Sequence, residues 1–215
     1  MNRKYEFTGE TNPFGLHRIR AVRSFGGIEA GDFGGWIASE DNLSHDGNAW
    51  VADNAMVFDD ARISGDALVM DKARITERAI VTDAATVKNH AVITDSAVIS
   101  GQAELFDCAV CGGDAVIDGR SCVGGTATVR KTSDVLTVYP LGDSGEAVSF
   151  FCTSDGMYAV CFGLCWTIED FINKVPKMTG SEYECLQAVC MAYAHFAALE
   201  HTEMEEQQND IDSSM

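Results

Sequence analysis

Along the middle of the chain, an aliphatic residue or, once, a cysteine recurs at every sixth position from Val51 to Val129, with a less regular start at Ile37 and Leu43. Four residues after each of these positions except the last comes an alanine or, once, a serine. Two residues after each of them except the last comes Asp, Asn, Glu or Gly. Because Asp, Asn and Gly favour turns, each unit predicts a short strand that ends in a corner.

The period of six residues predicts a solenoid in which three units form one triangular coil. The aliphatic residue of each unit points inward, and the small residue lies where a corner leaves no room for more volume. Coils stack through backbone ladders about 4.8 Å apart, so the regular repeats give about four coils. Helical solenoids have repeats of about 20 residues or more, so the period excludes them. It also excludes a solenoid with a five-residue repeat.

Several aliphatic residues of the repeats point outward and stack above one another from coil to coil. They form two rows, Ile80, Val98 and Val116 on one face, and Val92 and Val110 on another with Met56 further along. A contiguous exposed apolar strip on a protein normally marks an interface. The rows therefore predict a homo-oligomer, a dimer or a trimer, and packing of the C-terminal domain against one face is the alternative.

Acidic residues at the corners also stack from coil to coil. One row consists of Asp53, Asp71, Asn89 and Asp107, and a second row consists of Asp59, Glu77 and Asp95. Carboxylates stacked about 5 Å apart repel one another unless a cation or a basic partner lies between them. Two interpretations stay open. These residues are turn formers whose side chains bond the local backbone, or they are an array of negative charge that binds a basic surface.

The segments on either side of the repeats predict further parts of the chain. Residues 1–50 predict an N-terminal cap with an irregular first coil, since the end coil of a solenoid needs a cover. The repeats occupy 51–130. Residues 131–200 predict a small α+β domain with a β-hairpin and two helices, and 201–215 predict an acidic, disordered tail.

The prediction for 131–200 rests on patterns other than the six-residue period. Three strands are predicted, and an Asp-Gly pair supplies the hairpin turn between the last two. The strands are Val135–Tyr139, Ala147–Cys152 and Met157–Phe162. Thr167 with Asp170 and Ser181 with Glu184 predict the starts of two helices. The apolar face predicted for the second helix consists of Leu186, Val189, Cys190, Tyr193, Phe196 and Ala197.

The charge of the chain restricts its partners. There are 33 Asp and Glu against 15 Lys and Arg, a net charge of −18. Binding to the outside of nucleic acid is excluded, because cationic side chains drive that association, whereas a basic protein is attracted. Residues 131–215 carry 14 acidic and 3 basic residues. Glu203, Glu205 and Glu206 of the tail therefore join the six acidic corner residues as predicted partner-binding residues.

The sequence offers little for catalysis or metal binding. His90 is the one histidine within the regular repeats, and no orienting partner is evident for it. Cys108 and Cys111 have CxxC spacing, but the repeat places Cys111 inward and Cys108 at a corner, and no second pair completes a zinc site. We therefore predict no catalytic residues, no metal and no cofactor. No run of about 20 apolar residues predicts a membrane span, so a soluble protein is expected.

The repeats resemble the hexapeptide-repeat family of left-handed parallel β-helices, and this resemblance alone implies the left-handed winding. Together with Gly31–Val51 and Met157–Phe171, they resemble phage- and prophage-encoded hexapeptide-repeat, or polymer-forming, proteins of unknown role. The resemblance implies a mainly β fold with a β-helix, an N-terminal cap and a small C-terminal α+β domain. The N-terminal residues have no apolar region typical of a signal peptide, so a cytoplasmic location is expected, and the resemblance implies that the cell is a bacterial host.

The resulting functional expectation is a non-enzymatic phage accessory protein, a rigid acidic scaffold that binds a host or phage protein with a basic surface. Inhibition of a bacterial defence or nucleic-acid-handling enzyme by acidic mimicry is the more specific hypothesis. Two alternatives stay open. Many hexapeptide-repeat proteins are acyltransferases that use acyl-coenzyme A, and a regular prism is also suited to a structural component of a particle or filament.

Overall fold

The computed structural model of the chain describes the backbone of residues 3–141, 145–179 and 182–213, and the side chains of these residues except at 179, 182 and 200–213. The chain divides into two compact units, Met1–Thr132 and Ser133–Met215. The predicted fold class is confirmed. The first unit is built from stacked parallel coils, and the second contains a small antiparallel sheet and two helices.

The first unit begins with three longer strands, β1 (Tyr5–Thr11), β2 (His17–Ala21) and β3 (Phe33–Ile37), followed by a 3₁₀ turn at Glu40–Asn42. Two-residue strands then follow at intervals of six residues. They are β4 (Trp50–Val51), β5 (Met56–Val57), β6 (Arg62–Ile63), β7 (Leu68–Val69), β8 (Arg74–Ile75), β9 (Ile80–Val81), β10 (Thr86–Val87), β11 (Val92–Ile93), β12 (Val98–Ile99), β13 (Glu104–Leu105), β14 (Val110–Cys111), β15 (Val116–Ile117), β16 (Cys122–Val123) and β17 (Thr128–Val129).

These strands form the three faces of a β-helix, in which strands of successive coils are hydrogen-bonded. Face A contains β3, β5, β8, β11, β14 and β17. Face B contains β4, β7, β10, β13 and β16, and face C contains β6, β9, β12 and β15. The strands within each face pair in parallel, and β1 and β2 extend face A beyond β3 as antiparallel strands.

The second residue of each short strand points into the core of the β-helix. These aliphatic residues, and the alanines four positions after them, are at most 2% exposed from Val51 to Val129. Ile37 pairs with Val57 and Leu43 pairs with Ile63, so the coils begin before the regular repeats. Face A therefore contains six strands from successive coils, five from the regular repeats and one, β3, from before them.

The N-terminal strands cover the first coil with buried polar and aromatic side chains. Tyr5 is fully buried, and its hydroxyl donates a hydrogen bond to the carbonyl oxygen of Leu43 at 2.8 Å. Lys4 is also fully buried, and its ammonium group donates to the carbonyl oxygen of Ala49 at 2.8 Å. The ammonium group lies 5.2 Å from the centre of the Phe25 ring. Burial, and secondarily the charge of Arg23, lowers the pKa of Lys4 to about 8.

We expect the buried Lys4 to make stability depend on pH. Because its folded pKa of about 8 lies below the usual 10.5, the unfolded chain binds more protons between these values. The free energy of unfolding of the wild type relative to Lys4→Met should therefore rise by about 3 kcal/mol from about pH 7.5 to about pH 10.5. Chemical denaturation of both proteins across this range measures the difference, and parallel pH curves would contradict a buried charge at Lys4.

The second unit contains four antiparallel strands in sequence order, β18 (Val135–Leu141), β19 (Glu146–Thr153), β20 (Gly156–Cys161) and β21 (Leu164–Thr167). They are preceded by a 3₁₀ turn at Thr132–Asp134 and followed by helices α1 (Ile168–Thr179) and α2 (Glu182–Ser213). The three predicted strands and the hairpin turn are confirmed. The predicted cap of the first helix is confirmed as well, because the Thr167 hydroxyl accepts a hydrogen bond from the Asp170 amide.

The apolar face predicted for the second helix is only partly correct. Val189 of that face is buried and Phe196 packs against the core, but Leu186 and Tyr193 are 40% and 57% exposed. Among the described residues, the other side chains that α2 buries are Cys185, Ala188 and Ala192. Both sets have helical spacing, and the smaller residues let α2 approach α1 and β18 closely.

The C-terminal segment also differs from the expectation of a disordered tail at 201–215. The backbone of α2 is helical as far as Ser213. This segment has no Gly or Pro and is rich in Glu, Gln and Met, which are good helix formers. The predicted helix cap at Ser181 lies outside the described residues.

Candidate interaction surfaces

The corners of the β-helix hold acidic residues in a left-handed backbone conformation. Asp53, Asp59, Asp71, Glu77, Asp83, Asn89, Asp95 and Asp107 have φ between 53° and 59°. Among L-residues, Asp and Asn adopt this conformation at the lowest cost after glycine, and glycine occupies the equivalent corners elsewhere. The turn interpretation of these residues is therefore supported by the backbone.

The acidic side chains also link successive coils, which the sequence analysis did not foresee. A side-chain oxygen of the corner residue accepts a hydrogen bond from the backbone amide of the equivalent residue one coil later. These bonds join Asp53 to Asp71, Asp59 to Glu77, Asp71 to Asn89, Asp83 to Gly101, Asn89 to Asp107, Asp95 to Gly113 and Asp107 to Gly125. The corner side chains thus accept hydrogen bonds from backbone amides of the neighbouring coil rather than from amides of their own turn.

The two predicted acidic rows are present, and several of their members have additional partners. Asp59 accepts a bond from the Thr76 hydroxyl at 2.6 Å, and Asp95 pairs with Arg130 at 2.9 Å. Asp53 and Asp107 remain exposed to solvent. Glu203, Glu205 and Glu206 lie on the backbone of α2, but their side chains are outside the described residues. The structure therefore holds the corner carboxylates at fixed positions along the prism.

We expect the corner bonds to contribute measurably to stability. Asp71 accepts bonds from both the amide and the side-chain nitrogen of Asn89, at 2.9 and 3.0 Å. Asp71→Ala loses these bonds and also the short polar side chain that lowers the cost of the left-handed conformation, so we expect a loss of about 2 to 3 kcal/mol in the free energy of unfolding. Thermal or chemical denaturation measures this loss.

Two matched substitutions separate the contributions at Asp71. Asp71→Gly relieves the backbone cost and loses only the bonds, so it should destabilise by about 1 kcal/mol. Asp71→Asn keeps an acceptor and tolerates the left-handed conformation, so its stability should stay within about 0.5 kcal/mol of the wild type. Equal losses of stability for the Asp71→Ala and Asp71→Asn variants would show that stability depends on the negative charge of Asp71 rather than on its hydrogen-bond acceptor.

The two outward apolar rows lie where the register predicts them. On face C, Val98 lies between Ile80 and Val116 in paired strands. Ile80 is 36% exposed, Val116 is 39% exposed and Val98 is half-buried. On face A, Val92 pairs with Val110, but Arg74 separates Val92 from Met56. The row on face C is therefore the more continuous apolar surface.

A groove that the sequence analysis did not find runs along face A and its adjoining corner. It has a volume of about 490 Å³. Its lining consists of Asn12, Trp36, Asn54, Met56, Lys72, Arg74, His90 and Val92. Most of these residues are spaced 18 positions apart in the sequence, so they stack from coil to coil. This spacing is the sequence signal that indicates part of the groove.

The candidate residues for catalysis and metal binding stay apart. His90 is exposed at a corner, Cys111 is buried in the core and Cys108 is exposed. Burial raises the pKa of Cys122 to about 11, so this thiol is protonated at neutral pH. Within the described part of the chain, no three His, Cys, Asp or Glu residues are grouped as metal ligands. Over the same part, no helix combines the length and apolar character needed to span a membrane.

The fold and these surfaces define a class of protein, a parallel β-helix with acidic corners, an apolar row and a small α+β unit. No protein-family model matches the chain, and no curated protein matches its sequence.

Proposed function

We propose that this chain is a phage- or prophage-encoded hexapeptide-repeat protein that acts without catalysis in the cytoplasm of a bacterial host cell. It is a rigid acidic scaffold that binds a basic surface on a host or phage protein. The observation that carries the proposal is the arrangement of acidic residues at the corners, on a chain whose net charge is −18.

Rigidity is what makes the corners suitable for binding. Each bonded corner side chain is held by the amide of the next coil, and coils follow one another at about 4.8 Å. A carboxylate that is already ordered loses little conformational entropy on binding, so more of the interaction energy is available for affinity. The left-handed backbone at Asp53 and Asp107, together with their exposure, presents these charges to a partner.

The proposed target is an enzyme of bacterial defence or nucleic-acid handling. Such enzymes carry cationic surfaces for phosphates, and a regular array of carboxylates has the same sign of charge. Residues 131–215, with 14 acidic and 3 basic residues, add to this charge. Binding at the phosphate-contacting surface would exclude the nucleic-acid substrate and inhibit the enzyme.

We further propose that the protein is a homo-oligomer, a dimer or a trimer. The row of Ile80, Val98 and Val116 on face C forms the interface, and Val92 and Val110 on face A extend it or form a second one. Each residue of the face C row projects from a paired strand, so the surface is flat and continuous. Closed symmetry would bury this row in every subunit.

Competition tests the mimicry hypothesis. The tagged protein captures its partner from a bacterial lysate that has been cleared of nucleic acid, and duplex DNA is then added. Release of a basic protein by DNA, in proportion to the DNA concentration, is the expected result. A partner that stays bound at saturating DNA would show that the acidic surface does not occupy a nucleic-acid site.

The acyltransferase alternative has a specific test as well. From β4 to β17 the strands keep their six-residue spacing, so no extruded loop interrupts this part of the described chain. A ligand that binds the folded state stabilises it by mass action. A rise in melting temperature that is much larger with acetyl-coenzyme A than with adenosine 3′,5′-bisphosphate, which lacks the acyl-pantetheine arm, would favour the acyltransferase, whereas equal responses to the two ligands agree with the scaffold proposal.

A further inference from the structure

We infer that the groove on face A is a binding site for a small phosphate ester whose remaining part is apolar or aromatic. The site lies beside the corner row of Asp53, Asp71 and Asn89, and it does not depend on the proposed partner. Its volume of about 490 Å³ lies within the usual range for small-molecule sites, about 300 to 1,000 Å³.

The groove is formed by two stacked columns and a wall. Asn54, Lys72 and His90 are the equivalent corner residues of three successive coils, whereas Met56, Arg74 and Val92 are paired neighbours on face A. Trp36 pairs with Met56 at one end of the second column.

The wall comes from the turn between β1 and β2. The side-chain oxygen of Asn12 accepts hydrogen bonds from the amides of Phe14 and Leu16 at 2.9 and 3.1 Å. Its side-chain nitrogen contacts the sulfur of Met56 at 3.8 Å. These contacts fix the turn against face A and close one side of the groove.

The groove is lined by basic residues, whereas the chain as a whole has a net charge of −18. Lys72, Arg74 and His90 line it, and none of its lining residues is an Asp or a Glu, as far as the described residues extend. In the same part of the chain, the side chains of Lys72 and Arg74 form no hydrogen bond or ion pair.

Several other cations of the repeats have a partner or lie near carboxylates. Lys88 pairs with Glu104 at 3.0 Å, and Arg130 pairs with Asp95 at 2.9 Å. Arg62 lines a pocket that also contains Glu40 and Asp41. Two carboxylates are adjacent in sequence to lining residues: Asp71 accepts two bonds from Asn89, and Asp53 accepts a bond from the Asp71 amide. Two unpaired cations beside one another on a chain of net charge −18 therefore mark a site for an anion.

The residue types indicate which anion binds. Arginine presents several donors in a planar fork that matches phosphate oxygens, and lysine adds a compact positive charge. The half-buried Trp36 ring and the Met56 thioether offer apolar surface for a planar or aliphatic group. The amide of Asn54 supplies polar contacts that orient the ligand. A phosphate ester with an aromatic part uses all of these groups at once.

Isothermal titration of the full chain with adenosine monophosphate tests the inference. We expect a dissociation constant on the order of 1 mM or tighter. Uncharged adenosine should bind at least about tenfold more weakly, because it lacks the charge-assisted bonds to Lys72 and Arg74. No heat of binding at concentrations on the order of 10 mM would overturn the inference. Binding of citrate more tightly than adenosine monophosphate would overturn the assignment to phosphate.

A matched pair of variants locates the site. Arg62 and Arg74 are both exposed first residues of an Arg-Ile strand, on face C and face A respectively. Arg74→Ala should weaken binding of adenosine monophosphate about tenfold, whereas Arg62→Ala should leave it unchanged. Lys72→Ala should weaken it as well. Equal affinities for the Arg74→Ala and Arg62→Ala variants would overturn the assignment of the groove, and circular dichroism checks that both are folded.

Discussion

Replacing Ile93 by alanine is expected to lower the free energy of unfolding of the β-helix by about 2 to 5 kcal/mol. Ile93 is fully buried in β11, between Ile75 and Cys111 of the neighbouring coils. The substitution leaves a cavity in a core that only side chains from stacked coils can fill, so the coils cannot easily collapse around it. Because each coil contacts only its neighbours, the loss also weakens the coupling between the two ends of the prism.

The adjacent residue provides the control for this substitution. Val92 occupies the first position of the same strand and points outward, where it is half-buried. Val92→Ala should cost less than about 1 kcal/mol. Chemical denaturation followed by circular dichroism measures both changes. Similar losses at positions 92 and 93 would contradict the alternation of outward and inward residues on which the fold is built.

Replacing Val98 by glutamate is expected to dissociate the proposed homo-oligomer. Val98 lies at the centre of the apolar row on face C, between Ile80 and Val116. Association of two such faces would bury the introduced carboxylate without a partner, which should raise the dissociation constant at least about 100-fold. Multi-angle light scattering of the wild type and the variant at matched concentrations measures the change in mass.

A second aliphatic position distinguishes a specific interface from a general effect of charge. Leu68 is the half-buried first residue of β7 on face B, so Leu68→Glu introduces the same charge at the equivalent place in another face. This variant should keep the mass of the wild type. An unchanged mass for Val98→Glu would rule out the face C row as the interface, and dissociation of both variants would point to an effect of charge rather than to a surface.

Most of the β-helix could be predicted from its six-residue repeat. Every coil places its residues in the same environments, so the inward position of Ile93 is supported by the equivalent positions before and after it. The hairpin of the second unit was predictable for a local reason, since its turn residues follow one another in the chain.

The N-terminal cap depends on contacts that no local pattern reveals. Strand β1 mixes polar and apolar residues, and its pairing with β2 is a tertiary contact. The buried ammonium group of Lys4 donates its hydrogen bond to the carbonyl oxygen of Ala49, which lies far along the chain. In α2, the predicted face gave too much weight to large residues, whereas close packing selected small ones such as Ala188 and Ala192.

The candidate surfaces were predictable in position but not in their contacts. The rows of corner carboxylates followed from the register, yet the bond from Asp71 to the amide of Asn89 requires knowledge of how the corners turn. The column of Lys72 and His90 was likewise available from the register. The groove was missed because Asn12 and Trp36, which complete it, lie outside the regular repeats.

Affinity capture with a charge-neutralised variant tests the central claim, that the acidic corners bind a basic protein. The variant carries Asp53→Asn, Asp59→Asn, Asp71→Asn and Asp107→Asn, which keep the acceptors and the left-handed corners. Wild type and variant are exposed to the same nuclease-treated bacterial lysate at low and at physiological salt, and bound proteins are identified by mass spectrometry. We predict that the wild type retains a basic protein in stoichiometric amount, more strongly at low salt, and that the variant loses it. Equal retention by the two proteins, or recovery of the bait alone, would contradict the claim.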